Sequence, residues 1–337
     1  MATPPPDALF QLAQGFMASK TFLAAVDLEL FTVLAREPLD AEGVRAALGL
    51  HPRAVRDFLD TLVALGVLER DGDRYRNGPL AAAYLDRTQP GYVGGFFTML
   101  NRRLWTFWGR LEEALRTGAP QNEARDAGGT SFFETLYADP ARLQLFLESM
   151  TGVSLPSAQA LAERLPWARW STVADVGCAQ GGVPVTLALR HPHLRAIGFD
   201  LPQVEPVFRA YAAANEVEDR VDFVAGSFFT DPLPRAEVIV MGHILHDWDL
   251  DEKRRLVRKA YDALPEGGAL VVYDAMIDDE RRANVGGLLI SLTMLIETPG
   301  GFDYTHADGI GWLREAGFRD VHAEPLAGID SMVVGLK

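Results

Sequence analysis

The spacing of apolar residues changes character twice along the 337 residues of the chain. From about Phe10 to Leu85 apolar positions recur in the threes and fours of short amphipathic helices. Val55, Phe58, Leu59, Leu62, Val63 and Leu65 form one stripe, after which Gly72 sits between two short polar strands. That succession predicts a winged helix. From Thr88 to Pro166 the chain remains helical and is crowded with large apolar side chains, in "GGFFTML", "LWTFWGRL", "SFFETLY" and "LQLFLESMTG". So many aromatic residues on surface helices predict a buried face, a dimer interface or interdomain core ahead of a ligand pocket. Between them, the Gly, Pro and Asn of "RTGAPQNEARDAGGT" mark a loop.

From Thr172 onward short apolar runs alternate with helix-length amphipathic segments. The runs are "TVADVG", "RAIGFD", "VDFVAG", "AEVIVMGHI" and "ALVVYDAMI". Strands buried on both faces read this way, and their alternation with helices predicts a doubly wound parallel sheet of α/β class. A last helix, "ADGIGWLREAGF", precedes two strand candidates, "RDVHAEPL" and "DSMVVGLK", joined through Ala327-Gly328-Ile329. So short a connection predicts an antiparallel hairpin.

Charge and composition narrow the function. With 32 basic against 46 acidic residues the net charge is −14, so the field of the chain repels phosphate backbones and anionic membranes. On the would-be recognition helix Arg53 and Arg56 are offset by Asp57 and Asp60, which argues against nucleic acid as a partner of the winged helix. No apolar run reaches the length of a membrane span. The one cysteine, Cys178, cannot form an internal disulfide, and "MATPPPDAL" lacks the features of a secretory signal, so a cytoplasmic protein is expected.

In an open α/β sheet ligands bind beyond the carboxyl ends of the strands, and the first strand here ends in the glycine loop "DVGCAQGG". Gly177, Ala179 and Gly181 would let the backbone turn sharply and approach a ligand closely. The second strand ends in Asp200, a carboxylate suited to both hydroxyls of a ribose, so an adenosine cofactor is expected. A dinucleotide site wants G-x-G-x-x-G, whereas this loop is G-x-A-x-G with Asp175 ahead of it. An acid there disfavours phosphate and suits the cationic amino group of S-adenosylmethionine.

With these motifs in that order, nearly the whole chain resembles the S-adenosylmethionine-dependent O-methyltransferases of plant phenylpropanoid and bacterial antibiotic pathways. The resemblance is carried by "AAVDLELF", "ERDGDRYRNGPLAAAYL", "DVGCAQG", "GFDLPQV", "HILHDWD", "LPEGGALVVYDAMI" and "ETPGGFDYT". It implies a methyltransferase Rossmann sheet with a C-terminal antiparallel hairpin, a helical, winged-helix dimerisation domain and an intertwined homodimer. The expected domains are 1–100 for dimerisation, 101–165 as a helical linker to interface and pocket, and 166–337 for catalysis.

The resemblance also implies site residues. His246, in H-D-W with Asp247 and Trp248, corresponds to the general base that takes the proton of the acceptor hydroxyl, a task suited to a group titrating near working pH. Asp274 and Asp303 stand where the family usually has glutamates that orient the histidine or contact the substrate. Cofactor contacts are expected from Asp175, Gly177, Gly181, Asp200, Leu201, Gly226, Ser227, Phe228, Met241 and Trp248. Ser227 replaces the family's acid near the adenine, and Gly242 its frequent lysine. Phe146, Met150, Leu292 and Met294 are expected to line a pocket for a small aromatic acceptor. His243 reads as a strand-end core residue, and Trp248 equally as core or as a ring beside the cofactor. Two alternatives remain: metal-assisted carbon methylation, with His246, Asp247 and a third ligand from His243 or His306, and a non-methylating use of the same fold.

Overall fold

Helix termini in this protein are fixed beside the residues that matter. The computed structural model describes residues 5–89, 91–126, 137 and 139–337. Its contacts divide the chain into two units, Met1–Thr106 and Phe107–Lys337. The first carries helices α1 (Asp7–Asp27), α2 (Ala41–Leu48) and α3 (Val55–Ala64), then a hairpin of β1 (Leu68–Asp71) and β2 (Arg74–Asn77). Val55, Leu59 and Leu62 of the predicted stripe are buried, whereas α3 ends at Ala64 and leaves Leu65 43% exposed. Gly72 makes the tight hairpin turn with φ 61°.

In the second unit α4 (Pro140–Arg164) leads into a seven-stranded sheet. Its strands are β3 (Thr172–Val176), β4 (Arg195–Asp200), β5 (Val221–Ala225), β6 (Val238–Gly242), β7 (Ala269–Asp274), β8 (Arg319–Pro325) and β9 (Ser331–Leu336). They lie in the order β5-β4-β3-β6-β7-β9-β8. The β3 to β7 strands are parallel, while β9 pairs antiparallel with both β7 and β8. Of "SFFETLY" only Tyr137 falls within the described residues.

Alternate residues of each strand enter separate cores. Val173, Val240, Val271 and Tyr273 face α4, α5 (Gly182–Arg190) and α6 (Glu205–Ala214), whereas Ala174, Met241 and Val272 face α7 (Leu250–Ala263) and α9 (His306–Glu315). The order reverses at β3 and β6, which makes the carboxyl edge of those strands the binding crevice. Three caps hold the segments at that edge. Asp249 accepts from the Glu252 N–H at the start of α7, and Asn284 from Gly287 at the start of α8 (Val285–Glu297). A reciprocal Thr305–Asp308 capping box opens α9. The first cap follows Trp248 directly, and the last begins two residues after Asp303.

Candidate active site

The glycine loop between β3 and α5 sits where the sequence predicts it, although the reason for its glycines is different. Gly177 and Gly181 have φ of 77° and 98°, which L side chains rarely adopt. A Cβ on Gly177 would fall 2.2 Å from Ile244, and one on Gly181 2.7 Å from Phe208. Protein side chains, rather than open ligand space, occupy those directions. Ala179 also has a positive φ, 48°, and its N–H donates to the Asp200 carboxylate at 2.9 Å. The acid at the end of β4 therefore ties the loop to its neighbouring strand, and its other oxygen accepts from the Leu201 N–H.

Asp175 and Asp200 are buried, and neither has an ion-pair partner among the described residues. Burial, with the charge of Asp200 second, pushes Asp175 up to about 8. Burial pushes Asp200 up to about 6, against the N–H groups of Ala179 and Leu201. Two buried acids at the ends of β3 and β4, with no ion-pair partner among the described residues, would be relieved by a cationic ligand, and this is the feature that fits S-adenosylmethionine to the loop. Gly226 closes the same edge by donating to the Asp200 carbonyl. Ser227 is held by Asp231, whose carboxylate accepts from the Ser227 N–H at 2.8 Å. Phe228 and Phe229 pack edge-on against Trp248, with ring centroids 5.8 and 4.5 Å apart. Met241 is fully enclosed in the core on the α7 side, leaving no open surface for the cofactor contact expected of it.

His246 lies on a short turn, Leu245–Asp247, immediately beyond β6. Its Nδ1 is 3.3 Å from an Asp303 oxygen and 3.7 Å from an Asp274 oxygen, while Nε2 is 3.7 Å from Asp247. Among the described residues neither facing oxygen of Asp274 or Asp303 completes a hydrogen bond. The shorter acids still reach the ring from two segments. Asp274 ends β7 and accepts from the Tyr304 hydroxyl at 2.6 Å. The Asp303 N–H donates to Ser291 on α8, which sets that helix beside the base. Burial alone would lower the affinity of His246 for a proton, but Asp274, Asp303 and Asp247 together carry it up to about 10.

Three features were not anticipated. His243 is no inert core residue: its Nε2 lies 3.2 Å from Asp330, which also accepts from Ser157 at 2.6 Å, and the charge of Asp330 raises the histidine against its burial. Gly242 is glycine because Tyr273 crosses beside it, so that a Cβ would meet the ring at 2.0 Å. Tyr137 comes close to the crevice; burial first, then the charges of Asp200, Cys178 and Asp247, lift its hydroxyl well above the usual tyrosine range. Its position in an aromatic run was the only signal in the sequence. Of the expected pocket residues, Phe146, Met150 and Leu292 are half-buried, whereas Met294 is buried in the protein interior.

A doubly wound sheet with this strand order, buried acids at the ends of β3 and β4 and a buried histidine beyond β6 fits a methyltransferase of the S-adenosylmethionine class. Comparison with known proteins makes the assignment narrower. The O-methyltransferase domain family matches residues 108–319, and the O-methyltransferase dimerisation domain matches residues 10–87. The chain belongs to this family and is an S-adenosylmethionine-dependent O-methyltransferase. It is 45% identical to the tetracenomycin polyketide synthesis 8-O-methyl transferase of Streptomyces glaucescens, over 98% of this chain and 97% of that protein. It is 40% identical to an N,N-dimethyltransferase of Streptomyces rimosus, over 80% of this chain and 78% of that one. Human N-acetylserotonin methyltransferase, solved in complex with S-adenosylmethionine, superposes with a TM-score of 0.90 at 27% identity, covering 100% of this chain and 99% of the human one. Membership of the O-methyltransferase family gives the metal-assisted carbon reading no support, although His243, His246 and Asp274 lie within 4.8 Å of one another.

Proposed function

We propose that the enzyme methylates a hydroxyl of a small aromatic natural product in a secondary-metabolic pathway, with His246 as general base. The observation that carries this reading is the histidine's setting: Asp303 and Asp274 face Nδ1 from one side of the ring, at 3.3 and 3.7 Å. Nε2, on the other side, is then the nitrogen that takes the acceptor proton. Asp274 and Asp303 fix the tautomer and stabilise the imidazolium that forms, while Asp247 flanks Nε2. Bound S-adenosylmethionine supplies a methyl group on a cationic sulfonium.

Asp200 is assigned to the ribose hydroxyls and Asp175 to the positive methionine end, since both are buried acids without a cationic partner among the described residues. Gly177 and Gly181 shape the loop between them, and Leu201, Gly226, Ser227, Phe228 and Trp248 complete the wall beyond β4 and β5. Phe146 and Met150 on α4 and Leu292 on α8 are assigned to the acceptor pocket. Leu292 directly follows Ser291, the partner of the Asp303 N–H. Catalysis then comes chiefly from holding the acceptor oxygen in line with the methyl–sulfur bond that breaks, with the base in reach of its proton.

The first unit is read as a winged helix turned to homodimerisation. Leu9, Phe10, Leu12, Phe16 and Met17 of α1 are 55–79% exposed in one chain, and four of these five lie within the stretch matched by the dimerisation family. A second subunit would cover them. A cytoplasmic setting suits the free, buried thiol of Cys178.

The test is product analysis with methyl-labelled S-adenosylmethionine and matched panels of hydroxylated naphthoates, polyketide phenols and aryl amines. Labelled methoxy products are expected. Labelled N-methyl products alone would replace the hydroxyl acceptor with an amine, the acceptor class that the name of the 40% identical relative indicates.

A further inference from the structure

A cation is buried beside the turn that carries His246. Lys253, in the first turns of α7, is 0% exposed, an arrangement that is costly for an ammonium group unless it is compensated. Its Nζ donates to the carbonyl oxygen of Trp248, two residues beyond His246, and stands 3.6 Å from the centre of the Phe302 ring, next to Asp303. Those two segments are in close contact even without the lysine, since a Cβ on Gly301 would lie 2.6 Å from the His246 carbonyl. One side chain thus grips both the turn that carries the base and the segment that carries its nearest carboxylate.

We propose that Lys253 is a positioning residue for His246, which clamps the 245–248 turn to the 301–303 segment and supplies the counter-charge for Asp247, Asp274 and Asp303. Taken together, the charges around His246 show why a counter-charge matters. Asp247 lies on its own turn, Asp274 ends β7, and Asp303 comes from the segment after α8, with Tyr304 beside it. His243 at the end of β6 is balanced by Asp330 from the β8–β9 turn, and α8 carries one ionisable residue, Glu297, at its end. Among the described residues that leaves three carboxylates acting on one imidazole, and Lys253 is a cation that faces all three. Burial lowers its own affinity for a proton to about 8 while the four acids Asp274, Asp303, Asp247 and Asp249 oppose that fall, so it is charged at neutral pH. Without that charge the carboxylates would hold the proton on His246 more tightly, and a base that keeps its proton does not act.

The inference rests on His246 being the base, and its test separates the two. The pH dependence of kcat is measured for wild type, Lys253→Met, Lys253→Gln and Lys253→Arg, with the His246 ring titrated by NMR in the complex with S-adenosylhomocysteine. Loss of the charge in the Met and Gln variants should move the acid limb and the imidazole titration upward by at least about one pH unit, and cut the rate at pH 7 by about tenfold. Arg, which keeps the charge, should leave both near wild type. Unmoved profiles in a folded Met or Gln variant would overturn the proposal. So would failure of both to fold while Arg folds, which would assign the lysine to stability. If His246→Ala retains full activity, the base assignment itself is at fault.

Discussion

Replacing Asp303 by asparagine keeps the shape of the side chain and removes the charge 3.3 Å from His246 Nδ1. In an effective dielectric of about 20, opposite unit charges at that distance attract by about 5 kcal/mol, or between about three and four units of proton affinity. Asp274 at 3.7 Å and Asp247 remain, so the full amount is an upper bound. The direction is fixed: a histidine carried up to about 10 by acids must fall when one is neutralised. The acid limb of kcat should move down by at least about one unit, making the variant relatively more active at low pH by about tenfold. Its plateau should drop, because the ring has lost one of the two groups that orient it. The assay is initial rate from pH 6 to 11 with saturating cofactor and acceptor. An acid limb in the same place, from a variant whose thermal unfolding matches wild type, would refute the electrostatic account of the site.

Three further outcomes follow from the same geometry. Asp200→Asn should weaken S-adenosylhomocysteine binding by about 10- to 100-fold, the range expected for loss of charge-assisted hydrogen bonds, and calorimetric titration would show it. Gly242→Ala forces a methyl group into the Tyr273 ring and should cost about 1–3 kcal/mol, seen as a Tm several degrees lower; an unchanged Tm would mean that the ring does not occupy that space. Exchanging Leu9, Phe10 and Phe16 for polar residues should shift the sedimentation coefficient from dimer to monomer.

What could be read in the chain depended on how far apart the cooperating residues stand. The glycine loop and Asp200 were legible because each ends a strand, and parallel neighbours put strand ends together. Period-two alternation also placed the buried strands. Whether the glycines serve the sharp turn or a ligand's close approach was not separable in sequence, because only the folded chain brings Ile244 and Phe208 into the space beside Gly177 and Gly181. Asp274 and Asp303 came from the family resemblance, since no local rule brings the end of β7 and the segment after α8 to one imidazole. The pairing of His243 with Asp330 needed the β7–β9 register, in which Asp274 opposes Ser331. Lys253 left a usable signal: with Leu256, Val257 and Ala260 it falls on the buried stripe of α7, where a lysine needs a compensating partner.

Removal of the acceptor proton by His246 is tested in a single-turnover experiment. Wild type and His246→Ala are each loaded with methyl-labelled S-adenosylmethionine, mixed with a phenolic acceptor that wild type turns over, and followed by labelled product against time. With His246 as the base, methyl transfer should be about 10²–10⁴-fold slower in the variant, with the dissociation constant for S-adenosylhomocysteine unchanged. Transfer at the wild-type rate from a variant lacking the imidazole would contradict it.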